Sequence, residues 1–246
     1  MTDVALRAVT FDYWDTLYDG STKPERVVLR QGAIRKLLGQ IGHEIADDDF
    51  AALYRASGAE AERWWREEQR GYTTQERIRW LLSRVNVERP ADCRYVAAAE
   101  RAVDDALVAH PAPLLPGVGD GIARLASAFT LAIISDTGFA SGRAQDRLLE
   151  HDQLLPYFTA TVYSMDIGHA KPRPEPFAAA LRALGTAPGD TLHVGDNERT
   201  DVRGALDAGM RAVRVDIVRG QGPSAAEFVA RSFDELVAYL LAQRNA

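Results

Sequence analysis

Residues 8–20, AVTFDYWDTLYDG, decide how the rest of this chain is read. The run from Ala8 to Phe11 is short and apolar, and it ends on an acid, Asp12. An aspartate at the carboxyl end of a buried strand stands where open α/β sheets present their chemistry to ligands. Thr16 follows four positions later, and the turn YDGSTKP then breaks the pattern with Asp19, Gly20 and Pro24.

From this turn to Ala109 the texture is helical. Pro24 suits a first helical position, and Val27, Val28, Ile34, Leu37 and Leu38 trace an apolar face. A second helix runs from the acids at 47–49 through Trp64 and Trp65 towards Gly71, with Arg66 and Arg70 at the end its dipole favours. TTQE at 73–76 reads as a capping box opening a third helix, and RPAD at 89–92 opens a fourth that continues to Val108. The segment HPAPLLPGV, 110–118, carries three prolines and a glycine and reads as a hinge back to a core.

Beyond the hinge the period changes. FTLAII ends in Ser135, FTATVY in Ser164, TLHV in Gly195 and Asp196, and RAVRV in Asp216. Helix-period stretches lie between them at about 119–127, 142–149, 175–184 and 199–208, and such alternation implies a parallel sheet with right-handed crossovers. The C-terminal stretch 224–246 reads as one or two helices. The expectation is an α/β parallel-sheet core, residues 1–17 and 113–246, interrupted by an all-helical block, residues 18–112.

A net charge of -6 with arginines scattered among acids speaks against a nucleic-acid partner. Cys93 is the only cysteine, which excludes an intramolecular disulfide framework and a thiolate metal cluster and points to a cytoplasmic protein. No stretch approaches the roughly twenty apolar residues of a membrane span, so no membrane partner is expected. The oligomeric state is left open.

In a parallel sheet the strand ends share one edge, so Asp12, Ser135, Asp196 and the nearby Asp201 converge. Lys171, in GHAKPRPEPF, adds a cation stiffened by Pro172, Pro174 and Pro176. Clustered carboxylates repel one another unless a divalent cation sits among them, and hard oxygen donors suit Mg²⁺.

FDYWDTL, LAIISD, AKPRPEPF and HVGDNERTDVRGALDAGM resemble, in order, the four motifs of the haloacid dehalogenase-like hydrolase superfamily, in its helical-cap subfamily. The resemblance implies a Rossmann-like core with a cap over residues 18–112. It makes Asp12 the nucleophile of a phosphatase acting on a small phosphorylated metabolite through an aspartyl phosphate. Ser135 would then hydrogen-bond a phosphoryl oxygen, helped by backbone N–H groups just after it. Lys171 would neutralise the nucleophile, and Thr16 would steady the first loop. Asp12, Asp196, Asp201 and the carbonyl of Trp14 would hold Mg²⁺.

The candidate substrate contacts are Asp136 after Ser135, Arg30 with Arg26 one helical turn before it, whose default reading is a solvated face, and Trp64 of the tryptophan pair, whose default reading is internal packing with Trp80. His193 lies inside a strand pattern and reads as a packed or hydrogen-bonded core residue. Trp14 breaks the pattern: phosphatases of this family usually carry a second aspartate there, and general acid–base catalysis contributes about 10² to 10⁴ in rate. Asp15, an acid from the cap, or a substrate with an easily expelled leaving group would fill the gap. An aromatic residue at this position also resembles the 2-haloacid dehalogenase branch, and a silenced protein that binds a phosphorylated ligand is the third alternative.

Overall fold

The computed structural model describes residues 6–21, 23–85, 93–218, 220 and 222–244. The strands are β1 (Ala8–Phe11), β2 (Thr130–Ser135), β3 (Phe158–Tyr163), β4 (Thr191–Gly195), β5 (Arg211–Val215) and β6 (Phe228–Ala230). They form one sheet in the order β3-β2-β1-β4-β5-β6, with every pairing parallel. All four residues of β1 are fully buried, because helices cover both faces of the sheet. Phe11 packs edge-on to Phe158 and stacks on Phe233, tying the central strand to its covering elements.

Between β1 and β2 the chain makes α1 (Pro24–Gln40), α2 (Asp47–Arg66), α3 (Thr74–Ser83) and α4 (Cys93–Ala109). These share an apolar core of their own, including Ile34, Leu37, Phe50, Ile78, Leu81 and Val103. Phe139, from the loop after β2, inserts into it and joins the helical block to the sheet. The capping box forms as expected: Thr73 Oγ1 accepts from the Glu76 N–H at 3.1 Å, and the Glu76 carboxylate accepts from the Thr73 N–H at 2.7 Å. The expected helix start at 89–92 lies outside the described residues.

The remaining helices are α5 (Val118–Ala126), α6 (Gly142–His151), α7 (Ser164–Ile167), α8 (Pro174–Leu184), α9 (Gly204–Asp207) and α10 (Phe233–Gln243). Two readings are corrected. The stretch 199–208 is not one regular helix: residues 198–203 form a wide π-type turn that carries Asp201 inward before α9 begins. The C-terminal stretch contributes β6 before α10, since three residues are too few to show a period and their pairing with β5 is set by tertiary contact.

The two crossings into and out of the helical block run side by side. Asp19 N–H donates to the Pro113 carbonyl at 3.0 Å, and Leu115 N–H to the Leu17 carbonyl at 2.9 Å. A second seam joins α2's end to the loop before α8. There Gly71 N–H donates to Gly168 O at 3.2 Å and Ala170 N–H to Gln69 O at 3.0 Å. Only glycine fits at 71, because a Cβ there would lie 1.8 Å from the Ser164 carbonyl oxygen.

Candidate active site

The strand order reverses at β1, which opens a crevice at the carboxyl ends of β1, β2 and β4. A cavity of about 220 Å³ lies there. Asp12, Trp14, Asp136, Lys171, Asp196 and Asp201 wall it from the core side, and Glu62, Trp65 and Tyr72 wall it from the inserted helices.

Asp12 leaves β1 with its N–H bound to the Val194 carbonyl at 2.8 Å, so the strand end is fixed against β4. Lys171 Nζ donates to Asp12 Oδ1 at 2.6 Å, to Asp201 Oδ1 at 2.6 Å and to the Ile134 carbonyl at 2.9 Å. These bonds use all three ammonium protons of a side chain that is 2% exposed. The other Asp201 oxygen accepts from the Asn197 N–H at 2.9 Å. His193 reads as expected, a hydrogen-bonded core residue: Nδ1 lies 2.8 Å from Thr10 Oγ1 and Nε2 3.3 Å from Asp201 Oδ1. Burial pushes its pKa down, and the neutral ring that accepts from Thr10 and donates to Asp201 satisfies both contacts.

Burial pushes the Asp12 carboxyl well above the usual range, with Asp201 and Asp196 repelling its charge and Lys171 opposing the shift. Burial alone would lower Lys171, but the carboxylates of Asp12, Asp201 and Asp136 outweigh it and hold the ammonium above its ordinary value. For Asp201 burial is overcome by Lys171 and the His193 hydrogen bond, and the pKa is lowered. Asp12, Asp196 and Asp201 each offer an oxygen within 4.8 Å of the others. Such a set of hard oxygen donors, three carboxylates beside one ammonium, fits a small divalent cation such as Mg²⁺.

The other expected residues divide. Asp136 reaches the cavity as a bracket: Oδ2 accepts from Trp65 Nε1 at 2.8 Å and Oδ1 from the Lys171 N–H at 3.0 Å, so it links α2 to the lysine loop. Burial raises its pKa against the pull of Lys171 and Trp65. Trp14 is half-buried on the cavity wall, its ring edge-on to Tyr13. Ser135 is buried at the end of β2, where its hydroxyl donates to Gln145 Oε1 at 2.8 Å. Thr16 is buried beside the first loop, but its Oγ1 makes no hydrogen bond among the described residues.

Trp64 is corrected to a packing role: it lies against Tyr72, with the Arg70 guanidinium 4.6 Å above its ring. Its neighbour Trp65 faces the cavity instead, with Arg199 over the ring at 5.2 Å. Arg30 lines a second cavity, of about 190 Å³, that shares Trp14 and Gly138 with the first. Asp15 does border the main cavity, but it sits at φ 56 with Oδ1 accepting the Gly20 N–H at 2.8 Å, which commits that carboxylate to the loop.

A family profile described as haloacid dehalogenase-like hydrolase matches residues 6–209. Over 217 residues the chain is 32% identical to a glyceraldehyde 3-phosphate phosphatase of Methanopyrus kandleri, spanning 85% of this chain and 84% of that one. It is 30% identical over 131 residues to a phosphoglycolate phosphatase of Salmonella paratyphi A, half the length of each. Among solved structures, a 2-haloacid dehalogenase from Pseudomonas syringae pv. Tomato superposes with a TM-score of 0.70 at 25% identity, covering 97% of this chain and 99% of its own. A phosphatase from Thermococcus onnurineus superposes at 0.68 with 20% identity, covering 96% and 98%, and shows the shared fold. No described helix is long and apolar enough to cross a membrane. With the four motifs brought to one sheet edge and the profile spanning them, the chain belongs to the haloacid dehalogenase-like hydrolase family.

Proposed function

We propose that this hydrolase is a Mg²⁺-dependent phosphatase of a small phosphorylated metabolite, working through an aspartyl phosphate on Asp12. The observation that carries the reading is the buried triad in which Lys171 bridges Asp12 and Asp201 beside Asp196. Named phosphatases among the relatives support the same class of substrate.

Lys171 pins Asp12 Oδ1, so Oδ2 is the oxygen that attacks phosphorus. The ammonium also offsets charge as the phosphoryl group approaches a carboxylate, where two anions would otherwise repel. Asp12, Asp196 and Asp201 would hold Mg²⁺ together with the carbonyl of Trp14. Asp201 brings its charge more than open lone pairs, since Lys171, His193 and Asn197 already donate to it. When bound, Mg²⁺ supplies Lewis-acid neutralisation of the phosphoryl oxygens and a template for in-line displacement. Turning the Gln145 amide, whose Nε2 has no acceptor among the described residues, would let it donate to Ser135 and free that hydroxyl for a phosphoryl oxygen.

Trp14 cannot protonate a leaving alkoxide. Of the remaining carboxyls on the cavity, Asp15 holds Gly20 and Asp136 holds Trp65 and the Lys171 N–H. Glu62 of α2 is exposed on the cavity wall, its carboxylate paired with Arg66 one turn on, and it is the acid we assign to the leaving group. Residues 18–112 act in this reading as a cap that closes over the acyl phosphate, hinged where 17–19 run beside 113–115.

Halide displacement from a 2-haloacid is the second reading, favoured by the Trp14 ring on the cavity wall and by the likeness to the Pseudomonas syringae enzyme. One panel separates the two: phosphomonoesters and a short 2-haloacid, each with Mg²⁺ and with EDTA. Phosphate release abolished by EDTA supports the phosphatase. Halide release indifferent to EDTA, with no phosphate from any ester, refutes it.

A further inference from the structure

The second cavity, beside Trp14, carries two arginines on its wall. Arg26 and Arg30, one turn apart on α1, line it together with Gly20 and the loop 138–140. Arg26 is 3% exposed, and its guanidinium donates from Nη2 to the Ser21 carbonyl at 2.7 Å. The Nε atoms of both arginines are buried and have no partner among the described residues. Among the described residues no carboxylate lies within ion-pair distance of either. At longer range Asp19 and Glu25 act on Arg26 and Asp104 on Arg30, with Asp19 Oδ1 already accepting the Ser21 N–H at 2.8 Å and Asp104 the Ser141 N–H and hydroxyl at 2.8 and 2.6 Å.

A third guanidinium, that of Arg77, adds to the positive field; it lies 3.9 Å over the Phe139 ring and repels Arg30. Burial lowers the pKa of all three arginines. Buried charges are ordinarily paired, so two arginines that line a cavity with no carboxylate at ion-pair distance are organised for an anion from outside. Guanidinium forks match carboxylate and phosphate oxygens in particular. Because Trp14 and Gly138 wall both cavities, an anion here would lie next to the substrate at Asp12.

We propose that Arg26 and Arg30 bind a second, non-transferring anionic group of the substrate, so that the enzyme selects phosphomonoesters bearing another carboxylate or phosphate. This rests on the phosphatase reading for what occupies Asp12. Trp14 then serves as the wall between the transferring and non-transferring ends, a task for which an aromatic ring is suited and a carboxylate is not.

The test is calorimetric binding to the Asp12→Asn protein, where turnover does not interfere. One ligand pair is 3-phosphoglycerate and glycerol 3-phosphate, which differ by a carboxylate for a hydroxymethyl group. The other is fructose 1,6-bisphosphate and fructose 6-phosphate. At least one doubly anionic member should bind about tenfold or more tightly than its mate. That advantage should fall to within about twofold in Arg30→Gln and survive in part in Arg30→Lys, with melting curves confirming that both fold. Equal binding within both pairs, or a preference that Arg30→Gln leaves intact, overturns the proposal. Phosphate release by the wild type is read separately. If it occurs while the pairs bind alike, the anion site alone fails; if it never occurs while the preference stands, the phosphatase reading alone fails.

Discussion

Replacing Lys171 by methionine keeps most of the side chain's volume and removes the one cation that joins Asp12 to Asp201. Both carboxylates are then buried without it, at side-chain exposures of 10% and 2%. Breaking a buried pair by deleting one partner costs about 3–5 kcal/mol. In a chain of this size each kcal/mol moves the melting midpoint by about 2–4 °C, so the variant should melt roughly 6–20 °C below the wild type in EDTA. Two ways of discharging the site should each return part of the loss. Mg²⁺ at about a hundred times its Kd contributes about 2.7 kcal/mol by mass action, and it should raise the midpoint of Lys171→Met. Acid should do the same, with a definite sign. The folded-state pKa of Asp12 is already raised, so between the ordinary carboxylate range and that raised value the folded protein holds a proton the unfolded chain has released, and stability falls as pH rises. Removing Lys171 widens this window, and the deficit should be smaller near pH 5 than near pH 8. Differential scanning calorimetry at both pH values, with and without Mg²⁺, measures all of this. A loss under about 1 kcal/mol that neither pH nor Mg²⁺ alters would refute the view that Lys171 balances these carboxylates.

Asp12→Asn should lose phosphatase turnover by at least about 10³-fold while its circular dichroism stays native, since an amide cannot form the acyl phosphate; retained turnover would place the chemistry elsewhere. Glu62→Gln should lower kcat on an alkyl phosphate by about 10²-fold or more and leave an aryl phosphate less affected, and Trp14→Asp should shift the ratio the other way; unchanged ratios in both would remove the leaving-group argument. Gly71→Ala should force the seam between 69–71 and 168–170 open, because the new Cβ meets a carbonyl oxygen at 1.8 Å. Hydrogen exchange should then speed at the amides of residue 71 and Ala170 but not within α1, and unchanged protection at those two amides would contradict the close contact.

Much of this fold was legible because its signals are local. Apolar runs ending in Asp12, Ser135 and Asp196 are short strands, and parallel pairing carries their ends to one edge whatever lies between them. Lys171 was legible for the same reason, as a fixed cation after a strand. What the chain hides is orientation. Trp64 and Trp65 are adjacent on α2, about 100° apart around its axis, and their order alone does not say which ring meets Asp136. Ser135 sits where a phosphoryl ligand was expected, yet its hydroxyl finds Gln145, ten residues on in α6. Arg26 reads as part of a solvated face until the loop 138–140 covers it. The strand β6 escapes because its identity comes from the edge of β5, not from any period in three residues.

The central claim is that Asp12 takes up the phosphoryl group. The most direct measurement is to quench the wild-type enzyme in acid during steady turnover of a radiolabelled phosphomonoester with Mg²⁺, then map the label by peptide mass spectrometry. The account predicts a phosphoryl adduct on the peptide containing Asp12, sensitive to hydroxylamine and missing from Asp12→Asn. Sustained phosphate release with no adduct on that peptide at any quench time, or an adduct on another residue, would contradict it.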